Sequence, residues 1–102
     1  MILEVAMLTV HAGQERAFEA AMEKAAPVIA SSAGYMGHEL RRCIETPGRY
    51  LLLVQWETLE AHTVGFRQSP SFTQWREIIG GFFAEAPVVE HYEGVLRWPK
   101  SA

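Results

Sequence analysis

Six residues in the second half of this 102-residue chain are of the types needed to ionise and hold an acidic ligand: His62, Arg76, Trp56, Phe66, Trp75 and Tyr92. A neutral imidazole, with an ordinary pKa of about 6.5, can take a proton at neutral pH. An Arg guanidinium or a Trp N–H can hold the anion left behind, and an aromatic wall strips water from it. His62 and Arg76 are therefore the catalytic candidates, with Trp56, Phe66, Trp75 and Tyr92 as substrate-binding candidates. Each has a plainer reading. His62 also suits a half-buried helix position, and Arg76 a solvated helix face. Trp56 suits strand-end packing, and Phe66 and Trp75 suit a core stripe. Tyr92 suits a hydroxyl bonded to backbone.

The elements that position these groups can be read from periodicity. Ile2–Val10 is apolar at most positions and predicts a first strand. Phe18, Met22, Ala25 and Ile29 form one stripe of a helix over residues 14–30, with Glu15, Glu19 and Glu23 opposite. Pro27 predicts a kink or an early end there. Residues 35–46 read as a second strand, with Leu40, Arg42 and Ile44 on one side and a bend or bulge near Gly34 and Gly37. Thr46-Pro47-Gly48-Arg49 has Pro then Gly at the centre, the signature of a type II turn. It leads into Leu51-Leu52-Leu53-Val54, too apolar for a strand with one wet face.

The chain then enters a helix offering Leu59, His62 and Phe66 on one narrow face. That helix breaks at Ser69-Pro70. A second helix, capped by Ser71 or its neighbour, carries the stripe Phe72, Trp75, Ile78, Ile79 and Phe82, and Gly80-Gly81 weakens its last turn. Pro87 opens a final strand, VVEHYEGVLRW, which ends before Pro99. The order is β-α-β-β-α-β: an α+β, ferredoxin-like single domain over residues 1–102, with a four-stranded antiparallel sheet and helices on one face. Helices cover only one sheet face, so the apolar residues on the other predict a second copy of the chain, a homodimer.

Composition removes several classes. Net charge is −3 without a basic cluster, so nucleic acid is not expected as a partner. No apolar run approaches the length of a membrane span, the start lacks a basic n-region, and the single Cys43 cannot form an internal disulfide. These point to a cytoplasmic protein away from membranes. His11, His38, His62 and His91 are too scattered for a local metal motif, and His38 and His91 read as structural or interface residues. Neither a phosphate-binding glycine loop nor a nucleophile elbow is present.

The pattern W-E-x-x-E-A-H at Trp56–His62, then Ser69-Pro70-Ser71-Phe72 and F-F-A-E-A-P-V-V-E-H-Y-E at 82–93, resembles the antibiotic biosynthesis monooxygenase family over essentially the whole chain. The resemblance implies a dimeric α/β barrel with a pocket in each subunit between sheet and helices. It implies either oxygenation of electron-rich phenolic or quinoid aromatics without metal or flavin, or haem cleavage. The strand Asn, helix Trp and helix His of the haem-cleaving branch fall on Ala6, Phe66 and Arg76, so haem cleavage is not expected. The quinol-oxidising branch often has His where this chain has Phe66, a departure that makes the pocket more apolar. Two readings follow: a cofactor-free monooxygenase of a small aromatic, or a non-catalytic dimeric ligand-binding module on the same scaffold.

Overall fold

A computed structural model describes residues 1–100. Strands β1 (Ile2–Thr9), β2 (Tyr35–Arg42), β3 (Arg49–Trp56) and β4 (Val88–Glu93) form one sheet in the order β2-β3-β1-β4. Every neighbouring pair is antiparallel, as the β-α-β-β-α-β order requires. Helix α1 spans Glu15–Ala30. A π-helical turn, Ala61–Phe66, and helix α2, Pro70–Ile79, make up the broken second helix, which closes in a 3-10 turn at Gly80–Phe82. None of the described helices is long and apolar enough to cross a membrane.

Strand alternation sorts the core. On β1 the inward residues Ala6 and Leu8 are buried, and on β3 Tyr50, Leu52, Val54 and Trp56. They meet Phe18, Met22, Ala25 and Ile29 of α1, Phe66 of the π turn, and Trp75 and Ile79 of α2. Phe18, fully buried, packs against Tyr50 with ring centroids 5.0 Å apart and against Phe82 and Phe83 at 5.9 Å. Burying one such ring contributes about 2–3 kcal/mol. The opposite sheet face carries Leu3, Val5, Met7, Leu51, Leu53, Val88 and Tyr92, all partly or largely exposed. The run Leu51–Val54 is thus buried on one side only within a single chain.

The hairpin turn is as expected. Arg49 N–H donates to the Thr46 carbonyl at 3.2 Å, and Gly48 sits at φ +84°, which favours glycine. The turn claims Thr46, so β2 ends at Arg42 rather than 46, and Ile44 leaves the sheet, 92% exposed. A register shift between Tyr35 and Gly37 bends its entry.

Four other elements differ from expectation. Helix α1 passes through Pro27 and ends at Ala30. The carbonyl that Pro27 leaves unbonded belongs to exposed Glu23, where water can satisfy it, and Ser31 Oγ donates to the Val28 carbonyl at 2.7 Å to finish the helix. The segment after Trp56 is a π turn, in which Arg67 N–H donates to the His62 carbonyl at 3.0 Å. Leu59 precedes that turn and is exposed, while His62 and Phe66 are both buried. The cap of α2 is Ser69, whose Oγ accepts from Phe72 N–H at 3.4 Å, because Pro70 takes the first helical position. Strand β4 stops at Glu93, leaving Val95, Leu96 and Trp98 almost bare.

At the far end of the core, Glu19 joins helix to sheet. Tyr50 Oη–H donates to its Oε2 at 2.6 Å, and Arg42 grips both carboxylate oxygens at 2.7–3.1 Å. Tyr50, then Arg42, hold this carboxyl below the usual range. Its stabilisation is therefore present above the ordinary carboxylate pKa and is lost as pH falls through the lower folded value. Glu19→Ala is expected to cost about 1–2 kcal/mol by leaving the Tyr50 hydroxyl without its acceptor. In denaturation midpoints measured against pH, Glu19→Gln should show a shallower acid decline than wild type.

Candidate functional site

Beneath the broken helix lies a cavity of about 530 Å³, within the usual range for small-molecule sites. Its walls come from every layer: Ala6 and Leu8 of β1, Leu52 of β3, Ile29 of α1, Phe66 of the π turn and Trp75 of α2. Arg67, Arg76 and Glu85 line it from exposed positions, so they stand at its mouth. Glu4 and His62, only 6% and 3% exposed, are its buried polar lining.

Glu4 is the odd member of the inward β1 series Ile2, Glu4, Ala6, Leu8. Antiparallel pairing sets it beside Val54 on β3 and His91 on β4. Trp56 Nε1–H donates to Glu4 Oε1 at 3.0 Å. His62 Nε2 lies 3.3 Å from the same oxygen, and His62 Nδ1 lies 2.7 Å from His91 Nε2. The Trp56 indole stacks on the His62 ring, centroids 5.2 Å apart and planes 17° from parallel.

Burial decides the charges. Desolvation, with Arg67 and His91 adding to it, lowers the His62 pKa from 6.5 to about 4, so the ring is neutral near pH 7. Desolvation also raises the Glu4 carboxyl, against the Trp56 hydrogen bond and the Arg67 charge, which favour its anion. His91 is lowered by burial and then by Arg67. Beside a Glu4 carboxylate, the single N–H of neutral His62 belongs on Nε2, the ring nitrogen nearest Oε1. Nδ1 is then an acceptor, and His91 Nε2–H donates to it.

His62 Nδ1 is thus taken by His91, and Nε2 lies against Glu4 Oε1. Glu4 Oε2, in contrast, makes no hydrogen bond among the described residues, yet no buried side-chain polar atom there lacks a partner. Oε2 is therefore open to the cavity that Glu4 lines.

His62, Phe66, Trp75 and Arg76 all reach the cavity. Arg76 lies over the Phe72 ring, 5.8 Å from its centroid. Trp56 does not line the cavity. It is completely buried behind His62 and acts through Glu4. Tyr92 lies outside the site: it pairs with Leu3, so alternation turns it to the opposite sheet face, where it is half exposed and donates to Glu90 at 3.3 Å. Periodicity and residue type do not single out Glu4 or Arg67, and they leave His91 a structural or interface residue. The signal for Glu4 was a lone carboxylate at an inward position of an apolar strand.

The sequence model of the antibiotic biosynthesis monooxygenase family matches residues 1–78. The uncharacterised Bacillus subtilis (strain 168) protein YczJ is 45% identical over 95 residues, which cover 93% of this chain and all of YczJ. A solved structure from Bordetella bronchiseptica, described as a "putative antibiotic biosynthesis monooxygenase", is also 45% identical and superposes with a TM-score of 0.91. That match covers 93% of this chain and 97% of the other. SnoaB of Streptomyces nogalater, a cofactor-independent oxygenase, shares the fold at a TM-score of 0.80 with 20% identity, over 97% of each chain. With its first three-quarters matched by the family model and its fold shared with a structure 45% identical, the chain belongs to the antibiotic biosynthesis monooxygenase family.

Proposed function

We propose that the protein oxygenates a small, acidic aromatic compound, a phenol or quinol, without a cofactor, and does so as a homodimer with one cavity per subunit. The observation that supports this best is an apolar cavity whose inner polar lining is Glu4 and His62. A flat arene fits between Phe66 and Trp75 on the helix side and Ala6 and Leu52 on the sheet side. The Glu4–His62 pair is the proton-accepting end. Arg67 and Arg76 at the mouth offset the negative charge of the ligand's anion.

Loss of that proton leaves an electron-rich ring that dioxygen can oxidise. One oxygen atom forms the new bond to carbon. The other leaves as water with two hydrogens from the substrate, so the substrate supplies all four electrons that reduce dioxygen. Water exclusion by the apolar wall protects the anion and strengthens every charge interaction around it. The family supports this reading, and SnoaB, which shares the fold, is itself named as a cofactor-independent oxygenase.

Oxygen uptake with a panel of quinols and anthrones, in the presence of a chelator, tests this reading. Turnover of at least one member is expected. Ala84→Trp, at an exposed position on the cavity wall, should lower kcat/KM by about tenfold or more, with stability changed by less than about 0.5 kcal/mol. No uptake with any compound, or full activity in Ala84→Trp, refutes it.

The dimer reading rests on the outer sheet face, where Leu51 is 37%, Tyr92 50% and Val88 51% exposed in the single chain. A second copy placed on this face buries an apolar surface that a monomer leaves wet. Light scattering should give twice the chain mass at micromolar concentration. Val5→Lys, a charge on that face, should raise the dimer dissociation constant by about a hundredfold or more.

A further inference from the structure

We infer that Glu4, through Oε2, is the group that takes the ligand's proton, and that His62 and His91 are positioning residues that hold it. This rests on reading the cavity as a site for an acidic arene. Three observations lead there. His62 is a poor base in this arrangement, because His91 Nε2 lies 2.7 Å from its Nδ1, Glu4 Oε1 crowds its Nε2 at 3.3 Å, and burial lowers its pKa to about 4. Glu4 has one oxygen committed, Oε1, which accepts from Trp56, and one free. That free oxygen belongs to a buried carboxyl on the cavity wall.

The charged and titratable groups around Glu4 favour the transfer. His91 faces it from β4, His62 and Arg67 from the π turn and its end, and Arg76 and Glu85 line the same cavity from α2 and the loop before β4. In the step, the ligand O–H breaks, a Glu4 Oε2–H forms, and the negative charge passes from carboxylate to phenolate. Net charge in the site does not change. The cations at the mouth that balanced one anion then balance the other, so no further ion need enter. Burial raises the Glu4 carboxyl toward the range where it can hold that proton. His91 fixes the His62 tautomer with the N–H on Nε2, the nitrogen beside Glu4 Oε1, which leaves Oε2 to the ligand.

The probe for this is 4-nitrophenol, which absorbs in the visible only as its anion. At a pH where the free probe is mostly neutral, wild-type protein is expected to bind it as the anion. Infrared difference spectra should then show the carbonyl stretch of a newly protonated carboxylic acid. Glu4→Gln should bind the probe in its neutral form, and with a turned-over quinol should lose about a hundredfold in kcat with KM changed less than about threefold. His91→Ala should shift the pH midpoint of probe ionisation, and His91→Gln, which restores an N–H donor, should bring it back. An ionised probe without the carboxylic-acid band, or identical probe spectra in wild type and Glu4→Gln, overturns the Glu4 assignment. An unmoved midpoint in His91→Ala overturns the role given to His91. Failure of the oxygenase reading shows separately, as an ionised probe and a carboxylic-acid band with no oxygen uptake. No probe binding at millimolar concentration overturns both.

Discussion

A carboxylate buried inside a β-sheet has to be partnered, and that requirement organises this site. Leaving such a charge unpaired costs several kcal/mol. Glu4 is 6% exposed; its Oε1 accepts from the Trp56 N–H at the end of β3, and the His62 ring of the π turn lies 3.3 Å away. The demand fixes neighbours in turn. Trp56 must end β3 with its indole inward, which its pairing with Ile2 allows. His62 must arrive over that indole, so the chain leaving β3 has to turn back at once.

The π turn supplies the return. A Cβ on Gly34 would lie 2.7 Å from the Ala61 side chain, so the start of the turn presses against the loop that leads into β2. Gly34 also sits at φ +83°, and its carbonyl accepts from Glu57 N–H at 2.8 Å. Pinned there, the wider turn brings His62 and Phe66 inward together, one to the carboxylate and one to the apolar wall. Departures of this kind from the α-helical ladder are often found at functional sites. The Glu19–Tyr50–Arg42 cluster at the opposite end has a different character. It is a partly solvated tie between helix and sheet, and it contributes stability rather than chemistry.

Much of this was legible in the sequence. Strand and helix order followed from apolar spacing, and the type II turn from Pro47-Gly48. The cavity residues Phe66 and Trp75 followed from stripes that had to face the sheet. What failed has particular causes. A π turn has no apolar period of its own, so Leu59 was given an inward place it does not hold. Tyr92 has the right phenol group for a ligand, but its pairing with Leu3 decides its face. Glu4 hid for another reason. Its partners are 52 and 58 residues away in sequence, and no local pattern links a strand carboxylate to a Trp and a His that only the sheet brings together.

The site depends on a His62 ring that stays neutral, with its N–H on the nitrogen beside Glu4, and is not itself the titrating base. Nitrogen NMR of the His62 ring measures this directly, since the two nitrogens report protonation separately. The account predicts a protonated Nε2 and an unprotonated Nδ1 throughout the neutral range, with the ring charging only as pH approaches about 4. A His62 ring that titrates near the ordinary value of about 6.5, or that carries its proton on Nδ1, would contradict it.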